Sequence, residues 1–325
     1  MTDGSHDDFI APSEDDGFGA FATSVGRPAP DRFERLDQRA KGPRRPRIAL
    51  MGEFSAGKST LTNMLIGERA LPTQVTATQL PPVWITHGAG EPYLVDREGN
   101  ARPVKLTEFS RISVEDTAYI RIYAGADILM HCDLIDMPGI SDPNMDPEVW
   151  ESVIEHADGV LWCTHATQAW RQSEAAVWSE LPETLYDRSL LLITRIDKIV
   201  SADDRRRLIA RVDRETRGLF AGRYPISLLE ALGAGDDAAA WDRSGAQAFS
   251  DALADLVGTL QADLGAADGT ATAPMRRPSR LRPAAAPAEP LRLTEADEVQ
   301  GDGSRILPSR IRPIAARPRT RPAAD

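Results

Sequence analysis

Nine consecutive residues, Gly52-Glu-Phe-Ser-Ala-Gly-Lys-Ser-Thr60, constrain this chain more than any other feature. They fill the pattern G-x-x-x-x-G-K-[ST] with Gly52, Gly57, Lys58 and Ser59. The apolar run Arg47-Ile-Ala-Leu-Met51 precedes them and reads as a buried strand. Thr60-Leu-Thr-Asn-Met-Leu-Ile66 follows and reads as a helix. Strand, glycine loop and helix in that order predict a phosphate-binding loop. The backbone N–H groups of Gly52, Glu53, Phe54, Ser55, Ala56, Gly57, Lys58, Ser59 and Thr60 are its candidate phosphate ligands, helped by the helix N-terminus. Only four lysines occur in the chain, and Lys58 is one of them.

Around this loop the sequence predicts an α/β fold, a P-loop NTPase with a mostly parallel sheet and helices on both faces. Apolar runs at 48–51, 133–135, 159–163 and 190–194 lack polar alternation, as strands buried on both faces do. Asp146-Pro147 looks like a helix start, with Trp150, Val153, Ile154 and Ala157 as one apolar stripe. Phe249, Leu253, Leu256, Val257, Leu260 and Leu264 mark a last helix. Residues 83–86 and 119–123 are β-rich and are expected to form an antiparallel edge pair.

The expected organisation is a disordered acidic segment over 1–45, one α/β nucleotide-binding domain over 46–266, and a disordered tail over 267–325. Residues 1–30 carry six acidic groups and one arginine, with no sustained periodicity. Residues 274–325 hold eleven arginines, six acidic groups and nine of the 24 prolines. Such a composition cannot form a packed core. Within it Pro278-Ser-Arg-Leu-Arg-Pro283 recurs as Pro308-Ser-Arg-Ile-Arg-Pro313. That repeat reads either as compositional bias or as a duplicated docking motif for an anionic membrane or an acidic protein.

The 325 residues are 42% hydrophobic and 27% charged, enough apolar material for a substantial core. No apolar run approaches the roughly 18 residues of a membrane span, and the acidic N-terminus argues against a signal or transit peptide. The expected location is the cytoplasm, including its membrane surface. Cys132 and Cys163 read as reduced core thiols, and the five scattered histidines form no zinc-type cluster. The net charge of −11 argues against broad nucleic-acid binding.

Three further segments point to the ligand. Asp133-Leu-Ile-Asp-Met-Pro-Gly139 ends an apolar strand in D-x-P-G, where Asp136 can hold Mg²⁺ through a water and the Gly139 N–H can reach a γ-phosphate. Leu190-Leu-Leu-Ile-Thr-Arg-Ile-Asp197 ends another in T-R-x-D. A carboxylate there can accept hydrogen bonds from the N1–H and N2–H₂ of guanine, which adenine lacks. Thr194 closes that strand, and Arg195 can lay its stem along the base. Tyr224-Pro-Ile-Ser227 ends a short strand where a guanine-contacting loop is expected, with Ser227 as its candidate.

The stretch G-E-F-S-A-G-K-S-T-L-x-N-x-L-x-G, then Leu71-Pro72, Thr78, D-M-P-G and T-R-x-D, resembles the GTPase domain of bacterial dynamin-like proteins over about residues 45–265. The resemblance implies Mg²⁺-dependent GTP binding and hydrolysis. By it, Lys58 contacts the β- and γ-phosphates, and Ser59 and Thr78 are hydroxyl ligands of Mg²⁺, with Thr73 and Thr76 as rivals of Thr78. Ser55 resembles the dynamin residue that helps hold a monovalent cation, so K⁺ or Na⁺ is an implied cofactor. Lys58, Ser55 and Thr78 are the implied catalytic set, and a homodimer across the nucleotide face the implied assembly.

The departures set up an alternative. Phe54 stands where animal dynamins carry glutamine, and Ile140 follows D-x-P-G where Ras-like enzymes carry theirs. The glycines of the dynamin cation loop are missing from Thr73-Gln74-Val75-Thr76, and the Pro- and Arg-rich sequence after residue 266 is not expected to form a helical stalk. Phe54 and Ile140 favour a GTP-operated switch or adaptor with negligible turnover, docking a partner through the arginine-rich repeats. An Era-like RNA GTPase would bring N-K-x-D and an RNA-binding appendage, and neither is in the chain.

Overall fold

In β1 (Arg47–Gly52) every residue is buried, and neighbours go to opposite sides of the sheet. Ile48 and Leu50 join one apolar cluster, Ala49 and Met51 the other. A strand with helices on both faces requires this double burial. The structure, a computed structural model, describes residues 44–67, 80–140 and 153–267. The expected helix start at Asp146-Pro147, with Trp150, lies outside them, as do the segments on either side of 44–267; Val153 and Ile154 are buried.

The remaining strands are β2 (Val83–His87), β3 (Tyr93–Asp96), β4 (Ala101–Pro103), β5 (Thr117–Ala124), β6 (Asp133–Asp136), β7 (Gly159–His165), β8 (Ser189–Thr194) and β9 (Gly222–Ile226). The helices are α1 (Lys58–Ile66), α2 (Gln172–Glu180), α3 (Ala202–Glu215), α4 (Leu228–Gly233), α5 (Ala238–Arg243) and α6 (Ala246–Ala267). The strands form one sheet in the order β4-β3-β5-β2-β6-β1-β7-β8-β9. From β6 to β9 every neighbouring pair is parallel. The expected mostly parallel α/β sheet is therefore present.

The edge differs from expectation. Residues 83–87 and 117–124 do pair, but in parallel, while β2 runs antiparallel to β6 and β3 antiparallel to β5. An antiparallel pair needs only a short turn. Here the intervening chain builds its own β3–β4 hairpin. That hairpin takes the antiparallel place on the outer side of β5.

The two apolar clusters lie on the two faces. One gathers Leu61, Leu65, Phe249, Leu253, Val257 and Leu260 from α1 and α6 over Ile48, Leu50 and Leu161. The other gathers Trp162, Trp170, Trp178 and Phe220 with α2 and the Val212 side of α3. Trp162 meets Trp178 edge-on at 5.4 Å between ring centres, a favourable aromatic geometry. Cys132 and Cys163 are buried free thiols, and burial pushes the Cys163 thiol up to about 12.

Candidate functional site

The C-terminal ends of β6, β1, β8 and β9 face one edge of the sheet, and the residues assigned to phosphate and base from sequence gather there. At the end of β1 the chain turns through Gly52 at φ 136°, where a Cβ would lie 2.1 Å from the Cys163 carbonyl oxygen. Only glycine lets the loop leave the strand that close to β7. Ser55 and Gly57 also take left-handed conformations, at φ 59° and 97°. Residues turned this way point backbone N–H groups into a concavity that suits an anion. Gly57 opens α1 without a side-chain cap, which leaves the first-turn N–H groups to serve a phosphate.

Lys58 is the first residue of α1 and is buried, its ammonium donating to the carbonyl oxygens of Gly52 and Glu53, both at 2.9 Å. Burial lowers its pKa, opposed chiefly by the nearby Asp136 charge. Ser59 and Thr60 follow it, half-buried at the loop mouth. Phe54 projects from the loop, 65% exposed.

Asp136 ends β6 beside Leu50 of β1. Its carboxyl is buried and pushed up to about 6, with the Lys58 ammonium and the Thr62 hydroxyl partly offsetting the loss of water. Beyond it, a Cβ on Gly139 would come within 2.9 Å of the Phe54 backbone nitrogen. The D-x-P-G turn therefore lies flat on the phosphate loop, and the Ile140 N–H donates to the Gly52 carbonyl oxygen at 3.2 Å. Leu71, Pro72, Thr73, Gln74, Thr76 and Thr78 lie outside the described residues.

On the base side, the Thr194 hydroxyl closes β8 against the loop, 2.7 Å from the Ala56 carbonyl oxygen. Arg195 is left-handed at φ 53°. Its guanidinium donates to the Ser55 carbonyl oxygen at 2.9 Å, so it ties the T-R-x-D turn to the phosphate loop. Asp197 is half-buried and accepts from the Ser227 hydroxyl at 3.0 Å. Ser227 follows β9 and is itself buried.

Sequence reasoning missed three residues here. Glu174 in the first turn of α2 is 1% exposed. It accepts from Trp162 Nε1 at 3.0 Å, the Thr164 hydroxyl at 2.9 Å and the Arg171 N–H at 2.9 Å. Its neighbour Ser173 donates to the Glu53 carboxylate at 2.7 Å. Glu174 closes a capping box whose first member is Arg171 rather than serine or threonine; the usual sequence signature was therefore absent. Thr62, whose hydroxyl approaches Asp136 at 3.3 Å, lies outside the G-K-[ST] pattern.

The residues present fit a magnesium nucleotide. A buried carboxylate beside a buried ammonium, with the Ser59 hydroxyl nearby in sequence, is a hard-oxygen donor set of the kind Mg²⁺ takes alongside phosphate and water. Among the described residues no group of three His, Cys, Asp or Glu side chains gathers to hold a metal; a cation held partly by phosphates needs none.

Residues 48–196 match the profile of the dynamin family. Dynamin-like protein 2 of Campylobacter jejuni is 25% identical over 219 residues, which are 66% of this chain and 35% of that protein. The isoniazid-induced protein IniC of Mycobacterium tuberculosis is 31% identical over 138 residues, 40% of this chain and 28% of its own length. This chain thus spans about a third of the curated relatives it matches. A solved chain from an oligomerised bacterial dynamin pair, described as sensing and tethering membranes over long range, shares the fold at TM-score 0.55 and 16% identity. It covers 72% of this chain and 42% of its own. Residues 48–196, a little under half of the chain, are thus similar to the dynamin family, and the solved bacterial dynamin chain shares the fold.

Proposed function

We propose that the domain binds GTP with Mg²⁺ and hydrolyses its γ-phosphate. One observation carries this reading: the loop carbonyl cage around Lys58, the buried Asp136 and the Ser227–Asp197 pair stand at one edge of the sheet. In that reading the amides of Gly52 to Thr60 wrap the phosphates, and Lys58 shifts from the Gly52 and Glu53 carbonyls to the β- and γ-oxygens. Asp197 accepts from guanine N1–H and N2–H₂, held by Ser227. Ser59, Thr78 and, through a water, Asp136 would hold magnesium, which would supply positive charge to offset the charge developing on the phosphates. The Gly139 N–H adds a donor to the γ-phosphate, and Ser55 is the candidate for a K⁺ or Na⁺ site. Catalysis then rests on electrostatic stabilisation and positioning rather than on a strong base.

A second reading has its own support. Phe54 is exposed at the loop, and Ile140 occupies the position after the D-x-P-G glycine. Neither can orient a water. A GTP-operated adaptor with negligible turnover is consistent with both. Self-association across the nucleotide face, as the dynamin resemblance implies, is the route by which turnover would rise.

Titrating the protein with GTP and ATP in Mg²⁺ tests the base of the proposal, with Asp197→Asn as comparison. Two charge-assisted hydrogen bonds at ~1.5 kcal/mol each predict about a hundredfold weaker GTP binding for that variant. Equal affinity for ATP and GTP in the parent protein overturns the guanine assignment. Phosphate release measured with and without K⁺ at two protein concentrations then separates the readings. A rate per molecule that rises with concentration is the enzyme's signature; a flat, near-zero rate is the adaptor's.

A further inference from the structure

Thr62 is fully buried one helical turn beyond Lys58 on α1. Its hydroxyl oxygen lies 3.1 Å from the Lys58 carbonyl oxygen and 3.3 Å from Asp136 Oδ2. A hydroxyl has one proton to donate, so the two acceptors compete for it. The Lys58 carbonyl is the partner of the Thr62 backbone N–H in a regular helix and is satisfied without the side chain. The Asp136 carboxylate is 8% exposed and has been stripped of most of its water. An acceptor in that state gains more from a donor than a carbonyl that already has one.

We infer that Thr62 is a positioning residue for the Asp136 carboxylate: its hydroxyl holds Oδ2, fixes the rotation of the carboxylate, and so sets how the other oxygen meets the water through which a divalent cation would be held. This rests on the magnesium reading of Asp136 given above. Nothing in the phosphate-loop pattern asks for threonine at this place. Valine would fill the same volume between α1 and the sheet, yet the chain buries a hydroxyl there, opposite Asp136 at the C-terminal end of β6.

The test uses the full chain and a readout other than turnover. Release of a fluorescent GDP analogue is followed across a Mg²⁺ titration, and its affinity is measured again in EDTA. Thr62→Val keeps the branched shape and removes the donor; Thr62→Ser keeps the donor. Loss of a hydrogen bond behind a carboxylate that holds Mg²⁺ through a water predicts about a tenfold rise in the half-saturating Mg²⁺ concentration for Thr62→Val. Thr62→Ser should stay within about twofold of the parent, and the EDTA affinities of all three proteins should agree. Should Thr62→Val not fold, Thr62→Ala carries the same expectation.

A Mg²⁺ requirement unchanged in the donor-less variant overturns the inference. So does an equal shift in Thr62→Ser, which would assign the effect to packing of the methyl group. Asp136→Asn in the same assay separates the levels. If it leaves the Mg²⁺ requirement unchanged, the metal assignment of Asp136 fails and this inference with it. If it shifts the requirement while Thr62→Val does not, only the role of Thr62 fails.

Discussion

Asp136 is held in a place that its charge disfavours. Its carboxyl titrates at about 6 in the folded protein against 3.8 for a free side chain, because burial outweighs the attraction of Lys58 and the Thr62 hydrogen bond. A raised carboxyl pKa means that the folded state binds the proton more tightly than the unfolded one. Stability from this group is therefore greatest below about pH 4 and falls as pH rises through the window from 4 to 6. Above that window the buried charge costs about 2–3 kcal/mol. Asp136→Asn removes the charge and keeps the shape. In EDTA without nucleotide, the variant should unfold at higher urea than the parent at pH 8, with the gain vanishing towards pH 4. A variant that is less stable than the parent at pH 8 would show that the carboxylate sits comfortably when charged. Such a site gives up stability for a negative charge that only a cation or a phosphate-bound partner can use.

The same sheet carries a second acidic residue at the other end of β6, with the opposite character. Asp133 is buried and well served: Trp84 Nε1 donates to it at 3.0 Å and the Thr86 hydroxyl at 2.7 Å, while Arg45 and Arg121 approach at 3.3 and 3.5 Å. Arg47 and Arg121 also lie over the Trp84 ring, 4.7 and 4.9 Å from its centre. Asp133→Asn removes a buried carboxylate that two guanidinium groups share and should cost about 3 kcal/mol in urea unfolding. GTP affinity of the folded fraction should be unchanged, since β6 separates Asp133 from the phosphate loop; a matching loss of affinity would show that the two ends are coupled. None of this network was legible in the sequence, because Trp84, Arg121 and Asp133 come from three strands whose pairing is set by tertiary contacts. What was legible were contiguous patterns: the double-sided apolar runs of β1, β6, β7 and β8, the spacing of Phe249 to Leu260 along α6, and the glycine loop itself. The parallel pairing of β2 with β5 was not, because β-rich composition says nothing about strand direction. Within the site, Asp136 and Asp197 could be read off strand ends. The grip of Arg195 on Ser55, of Thr194 on Ala56 and of Ser173 on Glu53 could not, since each joins residues more than a hundred positions apart.

Charge is divided between the described core and the sequence beyond it. Residues 44–267 hold 22 Lys and Arg against 33 Asp and Glu, whereas residues 274–325 hold eleven arginines against six acidic groups. An acidic body is repelled by an anionic membrane, so any attraction must come from the arginine-rich segment, at about 1 kcal/mol per basic residue near the surface. Both apolar clusters of the fold are closed by residues between 48 and 260, which predicts that 44–267 folds when made alone. That shortened protein should unfold in one cooperative transition and bind GTP within about threefold of the full chain, since every described site residue lies inside it. The full chain, and not 44–267, should then sediment with vesicles containing phosphatidylserine at 50 mM salt. The association should be lost by 0.5 M, where the screening length is a few ångströms. Equal sedimentation of the two proteins would move the membrane contact onto residues 44–267. No sedimentation of either would leave the repeated Pro-Ser-Arg-[Leu/Ile]-Arg-Pro motif to an acidic protein partner. A shortened protein that fails to fold would instead mean that the core depends on sequence outside 44–267, and the GTP titration of the full chain would remain the measure of the site.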